Sequence, residues 1–143
     1  MLVANILTEK GRNILAVQPH ATLAEAARVL TTNRVGALLV LTPQGAFLGI
    51  LSDRDIVKAL AEKGALALTL TVESCMTKDV AVCQERDTVG EIAETMTACR
   101  FRHMPVIEKG VVVGIVSTGD VLKTRIAETM REAQALKEYI AAN

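Results

Sequence analysis

The heptapeptide Gly49-Ile50-Leu51-Ser52-Asp53-Arg54-Asp55 returns later in the chain as Gly114-Ile115-Val116-Ser117-Thr118-Gly119-Asp120. Both copies read glycine, two apolar residues, serine, two variable residues and aspartate. The apolar pair is typical of the end of a strand, and a serine followed three positions later by an acid predicts the first turn of a helix. The duplicated stretch therefore predicts two strand-to-helix junctions of the same design.

The repetition extends over most of the 143 residues. Residues 22–41 match residues 88–107 at an offset of 66, and residues 45–58 match residues 110–123 at an offset of 65. The one-residue change falls at Pro43–Gln44, where a turn tolerates a change of length. A period this long indicates a duplicated half of a domain, because stacked repeat units run to roughly 20–50 residues. We expect two halves, residues 1–68 and 69–143, that pack together.

Each half is predicted to contain a strand, a helix, two strands and a second helix. The predicted strands are residues 14–17, 37–41 and 46–51 in the first half, and residues 80–83, 104–107 and 111–117 in the second. A capping box, Thr22-x-x-Glu25 or Thr88-x-x-Glu91, opens the first helix of each half. One apolar face follows in each: Leu23, Ala26, Ala27 and Leu30, then Val89, Ile92, Ala93 and Met96. The fold class expected is α/β (α+β), with two tandem βαββα units related by a pseudo-two-fold axis.

The second half ends in a long helix, predicted from about Asp120 to Ala142. Apolar residues recur along it at spacings of three and four: Leu122, Ile126, Met130, Ala133, Leu136 and Ile140. Such a seam suits a partner helix or the flank of its own domain. We expect it to pack on its own domain or on an identical chain, with a different protein as the alternative.

Composition excludes several classes of function. The 16 basic and 16 acidic residues leave no surplus positive charge for gripping a nucleic acid, and 2% aromatic residues cannot build a base-stacking platform. The longest aliphatic run, residues 37–41, is far shorter than the roughly 18 residues of a membrane span. The three cysteines, Cys75, Cys83 and Cys99, lack the spacing of a zinc site or disulfide framework. With no secretory signal at the start, we expect a cytoplasmic protein with reduced thiols and no bound metal.

Two roles remain open for Asp55 and Asp120. Each could simply cap its helix and face the positive end of the helix dipole. The two other boxes use glutamate, however, so aspartate at both junctions suggests a further task. A carboxylate there can accept hydrogen bonds from both hydroxyls of a ribose, while the preceding serine and the helix amides face a phosphate. The preceding glycine would let a ring approach the backbone. A P-loop is excluded, because Asp120 stands where that motif requires lysine.

Basic residues near the junctions are candidate phosphate ligands. Arg100, Arg102 and His103 precede a predicted strand of the second half. In the first half the candidate phosphate ligands are Arg34 and Arg54. Arg34 and Arg100 could instead be solvated helix ends, and His103 a half-buried histidine without a ligand. Lys58 and Lys123 follow the aspartates by three positions and are expected to be their ion-pair partners.

The chain resembles a tandem pair of cystathionine β-synthase (CBS) domains standing without an attached enzyme or transporter. The resemblance runs from about Val3 to Lys123. Its carriers are Cys75-Met76-Thr77, Arg102-His103-Met104-Pro105-Val106 and the two Gly-x-x-Ser-x-x-Asp junctions. Each motif alone is weak, but the duplicated set in register is specific.

The resemblance implies a regulatory sensor of adenine nucleotides: AMP, ADP, ATP or NAD(H), with S-adenosylmethionine in some members. It implies a disc-like homodimer, and an output that passes through self-association or a separate effector protein. No cofactor is required and no enzymatic activity is expected. A hydrolase built on Ser117, His103 and Asp120 has no base-orienting order, and no GxGxxG indicates a dehydrogenase. The alternative function is a CBS interaction or dimerisation domain that binds no ligand.

The resemblance also implies two sets of site residues, with the aspartate on the ribose, serine and its neighbours near phosphate, and apolar residues around the adenine. The second-repeat site comprises Val82, Arg100, Arg102, His103, Met104, Pro105, Ser117, Thr118 and Asp120. The first-repeat site comprises Val17, Ala37, Leu38, Ser52, Arg54 and Asp55. Because the first repeat lacks the His and Pro of its twin, and Gly119 replaces Arg54, the two sites are expected to differ.

Overall fold

Two small β-sheets and six α-helices make up the fold, and the computed structural model describes all residues 1–143. The first half contains α1 (Val3–Lys10), β1 (Ala16–Val17), α2 (Leu23–Asn33), β2 (Ala37–Leu41), β3 (Phe47–Ser52) and α3 (Asp53–Lys63). A 3₁₀ segment, Gly64–Thr69, leads to α4 (Val72–Cys75), α5 (Val89–Cys99), β4 (His103–Glu108), β5 (Val111–Ser117) and α6 (Thr118–Ala142). The expected α+β architecture of two tandem repeats with a long C-terminal helix is confirmed.

The two sheets differ in their first strand. In the first half β1 pairs parallel with β2, which pairs antiparallel with β3. In the second half β4 and β5 pair antiparallel, but the strand predicted at residues 80–83 does not form. Cys83 alone makes a parallel bridge, to Val106, because only its own amide and carbonyl bond to the neighbouring strand. The first predicted strand was therefore too long in the first half and wrong in the second.

Alternation along the strands produces four layers, helices on the outside and two sheets within. Leu38, Val40 and Leu51 point into a core with α2 and α3, and Met104, Val106 and Val116 point into a core with α1, α5 and α6. The intervening residues Ala37, Leu39 and Ile50 meet Val112 in a third cluster between the sheets. Because successive strand residues point to opposite faces, each sheet buries one face on helices and the other on its twin.

The short helix that precedes each repeat packs on the other repeat. Val3, Ile6 and Leu7 of α1 lie in the core of the second repeat, and Val72 of α4 lies in the core of the first. Backbone hydrogen bonds fix both arrangements: the Val3 amide donates to the Asp87 carbonyl (2.9 Å), and the Val72 amide donates to the Ala21 carbonyl (2.8 Å). A boundary between residues 68 and 69 therefore does not separate the two cores.

The repeated glycines make room for these exchanged segments. A Cβ at Gly49 would lie 2.5 Å from the Thr77 carbonyl oxygen, and one at Gly114 would lie 2.7 Å from Leu7 Cδ2. Thr77 bridges Ile50 through two backbone hydrogen bonds of 2.9 and 3.0 Å. The glycines were predicted to admit a ligand ring, but the chain itself occupies the space beside them.

All four predicted capping boxes form. Thr22, Ser52, Thr88 and Ser117 each accept a hydrogen bond from the amide three residues later, and the acid at that position accepts one in return.

The predicted apolar seam of α6 does not pack on its own domain. Leu122 and Ile126 are 61% and 51% exposed, and every residue from 129 to 143 is exposed. Packing on its own domain is therefore wrong for this seam.

Candidate functional site

Two clefts lie between the repeats, and each is lined by residues from both. The Ser52 cleft has a volume of about 230 Å³, and the Ser117 cleft about 410 Å³. The Ser52 cleft is lined by Ile50, Ser52, Arg54, Asp55, Thr77, Val80, Cys99, Arg100, Phe101, Arg102 and His103. The Ser117 cleft is lined by Lys10, Gly11, Asn13, Leu15, Arg34, Val35, Gly36, Ala37, His103, Ile115 and Ser117.

The repeat offset makes the two clefts equivalent in construction. Ser52 corresponds to Ser117, Ile50 to Ile115 and Arg100 to Arg34. The exchanged leading segments complete them, because Thr77 follows α4 into the Ser52 cleft while Lys10, at the end of α1, reaches the Ser117 cleft. Each cleft is thus a strand-to-helix junction of one repeat covered by the other repeat and by a leading segment.

The clefts differ at two neighbouring pairs of equivalent positions. Arg102 and His103 line the Ser52 cleft, where the Ser117 cleft has Gly36 and Ala37 at the matching positions. Arg102 lines only the smaller, Ser52 cleft and adds a positive charge there. The two clefts therefore differ in volume and in charge.

Both junction aspartates cap their own helices with one oxygen. Asp55 Oδ2 accepts from the Ser52 amide, and Asp120 Oδ2 from the Ser117 amide, each at 2.9 Å. The other carboxylate oxygen, Oδ1, takes no part in capping. Asp55 Oδ1 accepts only a long hydrogen bond of 3.4 Å from Thr77 Oγ1. Capping therefore uses half of each carboxylate and leaves the other oxygen free to accept from a ligand.

Lys10 distinguishes Asp120 from Asp55. Its Nζ donates to Asp120 Oδ2 at 2.7 Å and to the Ile115 carbonyl at 3.0 Å. Burial acts to raise the pKa of Asp120, but the hydrogen bonds from Lys10 and from the Ser117 amide, with the charge of Lys10, outweigh it and hold the pKa below its ordinary value. The carboxylate beside the Ser117 cleft is thus already neutralised, whereas no lysine or arginine pairs with Asp55.

His103 lines both clefts and is half-buried. Burial, and then the positive charge of Arg102, lower the pKa of its imidazole, and the charge of Asp53 opposes them. His103 is accordingly neutral at pH 7 and offers both a hydrogen-bond donor and an acceptor to the clefts. One side chain therefore forms part of the wall of each cleft.

The cations around the clefts are only partly engaged by acids. Arg102 Nη2 pairs with Asp53 Oδ1 at 2.9 Å across the two repeats, whereas Arg54 and Arg100 make no ion pair. Arg34 and Arg100 both end their helices in the left-handed conformation, with φ of 54° and 58°, and both line a cleft as well. The helix-end and cleft roles, posed as alternatives, therefore coexist.

The expected ion pairs of Lys58 and Lys123 are wrong. Lys123 lies 3.7 Å from Glu9, and Lys58 forms no ion pair. The reason is that Asp55 and Asp120 turn back toward the amides of their own helix starts, away from the next turn.

The structure regroups the predicted site residues. Arg100, Arg102 and His103 join Ser52, Arg54 and Asp55 in one cleft, and Ala37 and His103 join Ser117 in the other, whereas Asp120 lines neither. Thr118 stands apart, exposed in a shallow groove beside Arg54. Five predicted apolar contacts line neither cleft: Val82 is exposed, Val17 is half-buried, and Leu38, Met104 and Pro105 are buried. Leu38, Val17 and Met104 miss the clefts because they face the helices of their own repeat.

Sequence reasoning missed the contributions of the leading segments. Lys10, Gly11 and Thr77 line the clefts but lie outside the two matched stretches. The available signal was the offset of 66, which places residue 11 opposite Thr77. In both clefts no cluster of three or more metal-ligating side chains exists, and none of the six helices combines the length and apolar character that a membrane crossing requires.

Comparison with known proteins matches this geometry to one family. The CBS-domain family profile matches residues 3–62 and 72–127. The crystal structure of the CBS-domain protein ATU1752 from Agrobacterium tumefaciens is 44% identical, with a TM-score of 0.85, over 87% of this chain and 92% of that one. A 17.7 kDa protein of Acidianus ambivalens is 34% identical over 95% of this chain and 80% of its own length.

A further solved structure shares the fold and contains bound ligands. The CBS domain pair of protein MJ0100, in complex with 5′-methylthioadenosine and S-adenosyl-L-methionine, is 27% identical, with a TM-score of 0.80, over 90% of this chain and 98% of that one. Two repeats of one family thus account for most of the chain.

Proposed function

The chain belongs to the CBS-domain family, and we propose that it is a regulatory module that binds an adenosine-containing ligand between its two repeats. The observation that carries the proposal is the Ser52 cleft, which is lined by Asp55, a carboxylate with no lysine or arginine partner, and by the unpaired cations Arg54 and Arg100. A binding site for a phosphorylated sugar needs both an acceptor and cations. The MJ0100 complex, with two adenosine compounds bound to a CBS pair, supports the class of ligand.

The groups in the Ser52 cleft suit the three parts of a nucleotide. Asp55 Oδ1 would accept from the ribose hydroxyls, because only a 3.4 Å hydrogen bond from Thr77 engages it. The cations of Arg54 and Arg100 would lie near the phosphates, aided by the start of α3. The apolar side chains of Ile50 and Val80 would contact the adenine. The ligands proposed are AMP, ADP, ATP or NAD(H).

The Ser117 cleft is proposed as the weaker site for such ligands. Lys10 already pairs with Asp120 Oδ2 at 2.7 Å, and this positive charge makes the carboxylate a weaker acceptor for ribose hydroxyls than Asp55; Asp120 also lies outside the lining of the cleft. The cleft has fewer unpaired cations, with Arg34 as the main one. A neutral or positively charged adenosine compound suits this larger cleft better than a polyphosphate.

Signalling would follow from the composite construction of the clefts. A ligand shifts a conformational equilibrium only by its differential affinity for two states. Because each cleft joins a junction of one repeat to strands of the other, a ligand would favour the arrangement in which the repeats close on it. The output would then pass to a second copy of the chain or to an effector protein in trans.

One observation favours the alternative, an interaction domain that binds no ligand. Both junction carboxylates bond to their own helix starts at 2.9 Å, which is a sufficient structural reason for aspartate at these positions. On this alternative the clefts would be structural, and the exposed seam of α6 would carry the function.

Thermal unfolding of the full chain tests the proposal. A ligand at about 100 times its Kd adds roughly 2.7 kcal/mol, which for a domain of this size raises Tm by about 5–10 °C. AMP, ADP, ATP, NAD, NADH and S-adenosylmethionine would be compared. We expect Asp55→Ala to abolish the shift caused by phosphorylated ligands and Asp120→Ala to leave most of it.

The control variant is Glu25→Ala, which removes a capping acid of the same geometry outside both clefts. It lowers Tm by itself but should leave the ligand-induced shift unchanged. The absence of a shift with every ligand would support the interaction-domain alternative.

A further inference from the structure

Helix α6 is far longer than the domain that supports it. It has 25 residues, and its contacts with the domain end within its first half, at the buried Val121 and Thr124 and the half-buried Ala127 and Glu128. Residues 129–143 are all exposed. A helical segment of about 12–15 residues without tertiary packing is marginal in water. The second half of α6 therefore gains no stability from packing on its own domain.

The exposed apolar residues of α6 follow a heptad. Ile126, Ala133 and Ile140 occupy position a, and Leu122, Thr129 and Leu136 occupy position d. The large members of this set are 51–65% exposed. The residues that contact the domain fall at positions b, c and f, on the opposite side of the helix. The a/d seam therefore faces away from the domain, and two domains can stand on opposite sides of a helix pair without colliding.

The charges beside the seam discriminate between orientations. In a parallel pair, position g of one helix lies next to position e of the following heptad on its partner. Glu132 at g would then meet Lys137 of the partner subunit at e, twice by symmetry. In an antiparallel pair that matches Ile126 with Leu136, Glu132 would lie near Glu132 of the partner subunit. Lys123 would likewise approach Lys137 of the partner subunit. The parallel arrangement places opposite charges together, and the antiparallel arrangement places like charges together.

We propose that α6 forms a parallel two-stranded coiled coil with α6 of a second copy of this chain, held by the a/d seam and by reciprocal Glu132–Lys137 pairs. The seam supplies affinity and the flanking charges select the orientation. The interface is independent of the two clefts and of any nucleotide, so it is tested without one.

Charge exchange in the full chain is the first test. Sedimentation equilibrium measures the dimer Kd of the unaltered chain, of Glu132→Lys, of Lys137→Glu and of the double variant. Each single variant replaces two attractive contacts with repulsive ones and should weaken dimerisation about tenfold. The double variant restores opposite charges and should return Kd to about the original value.

The matched control is Glu138→Lys, the same charge change at position f of the same helix, where Glu138 is exposed. It should leave the dimer Kd within about threefold of the original. Circular dichroism checks that each variant keeps its helix content. A monomeric unaltered chain, an equal effect of the control, or a double variant as weak as the singles would each overturn the proposal.

Cross-linking tests the orientation separately. Asn143→Cys is introduced with Cys75→Ser and Cys99→Ser, so that Cys83, which is buried, is the only other thiol. A parallel pair brings the two new thiols together, and a disulfide-linked dimer should form quantitatively in a glutathione redox buffer. In the antiparallel alignment the two ends lie about 30 Å apart. Failure to cross-link in a chain that sediments as a dimer would overturn the parallel arrangement.

Discussion

Lys10 and Asp120 stand 110 positions apart in the chain, and the Lys10 ammonium lies 2.7 Å from the Asp120 carboxylate. The lysine ends the helix that precedes the first repeat, and the aspartate belongs to the strand-to-helix junction of the second. This contact joins the leading segment to the opposite repeat and gives the acid beside the Ser117 cleft a positively charged partner. The equivalent acid, Asp55, has Thr77 as its neighbour instead, at 3.4 Å.

Replacing Lys10 by methionine is expected to lower the free energy of unfolding by about 1 kcal/mol at pH 7. Lys10 lowers the pKa of Asp120, so the stability that it contributes is present above pH 3.8 and is lost as pH falls through the folded-state pKa. Urea unfolding at pH 7 and at pH 2.5 measures the difference between the two proteins. Lys123→Met is the control, because Lys123 and Glu9 lie 3.7 Å apart and are both exposed.

The expected result for the control is a loss of less than about 0.5 kcal/mol. A Lys10→Met deficit that persists unchanged at pH 2.5 would mean that lost packing, and not the ion pair, accounts for it.

Glycine-to-alanine substitutions should lower the free energy of unfolding at some positions and raise it at others. Gly49→Ala places a Cβ 2.5 Å from the Thr77 carbonyl oxygen, a backbone atom fixed by its hydrogen bonds to Ile50. We expect a loss of about 2–4 kcal/mol of unfolding free energy. Gly114→Ala meets the Leu7 side chain at 2.7 Å and should cost about 1–3 kcal/mol, because a side chain yields more easily.

Gly90→Ala serves as the matched control within a helix. Its Cβ would have no neighbour closer than 3.6 Å, so the higher helix propensity of alanine should raise stability by about 0.5–1 kcal/mol. Chemical denaturation of the three variants measures all three effects. A Gly49→Ala variant with an unchanged free energy of unfolding would show that the Thr77 segment does not lie against β3 in solution.

Local patterns in the sequence predicted the local structure well. The Thr22 and Ser117 capping boxes formed because the side chain and the amide that it accepts from are only three residues apart. The buried faces of α2 and α5 followed from apolar spacing for the same reason. The strand order of the first repeat also came from turns between neighbouring segments.

These local patterns did not predict the contacts between segments that are distant in the sequence. The exchange of α1 and α4 between repeats joins residues such as Leu7 and Gly114, which no periodicity relates. The same exchange determines which residues share a cleft, so grouping Asp120 with His103 by repeat missed Lys10. The duplicated glycines were noticed correctly, but a duplicated residue does not reveal whether its empty side serves a ligand or the chain.

Stability should fall in mildly acidic solution because of His103. Its imidazole is half-buried, and burial lowers the pKa below the ordinary value of 6.5. The unfolded chain therefore binds a proton more readily, and the stability from neutral His103 is present above pH 6.5 and lost as pH falls below it. The charged groups that face it are Arg102, Asp53, Lys10 and Asp120.

Guanidinium unfolding between pH 7.5 and pH 5 compares the unaltered chain with His103→Asn, which cannot take up the proton. The variant should lose less stability over this interval. His20→Asn is the control, because His20 is exposed and should leave the pH dependence as it was. Parallel curves for the unaltered chain and His103→Asn would contradict the expectation.

Arg54→Gln should separate recognition of phosphate from recognition of adenosine. Arg54 lines the Ser52 cleft and makes no ion pair, so its charge is available to a phosphate. Its counterpart in the second junction is Gly119, which supplies no charge. Losing this cation should weaken ATP binding about tenfold, AMP binding less, and adenosine binding hardly at all, since the Coulomb attraction grows with ligand charge.

Isothermal titration calorimetry at two salt concentrations measures the affinities of all three ligands. Lys58→Gln, an exposed lysine one turn along α3 and outside the cleft, removes the same charge and should leave the ratio of ATP to adenosine affinity unchanged. Equal losses for ATP and adenosine would instead place Arg54 in the support of α3 rather than in contact with phosphate.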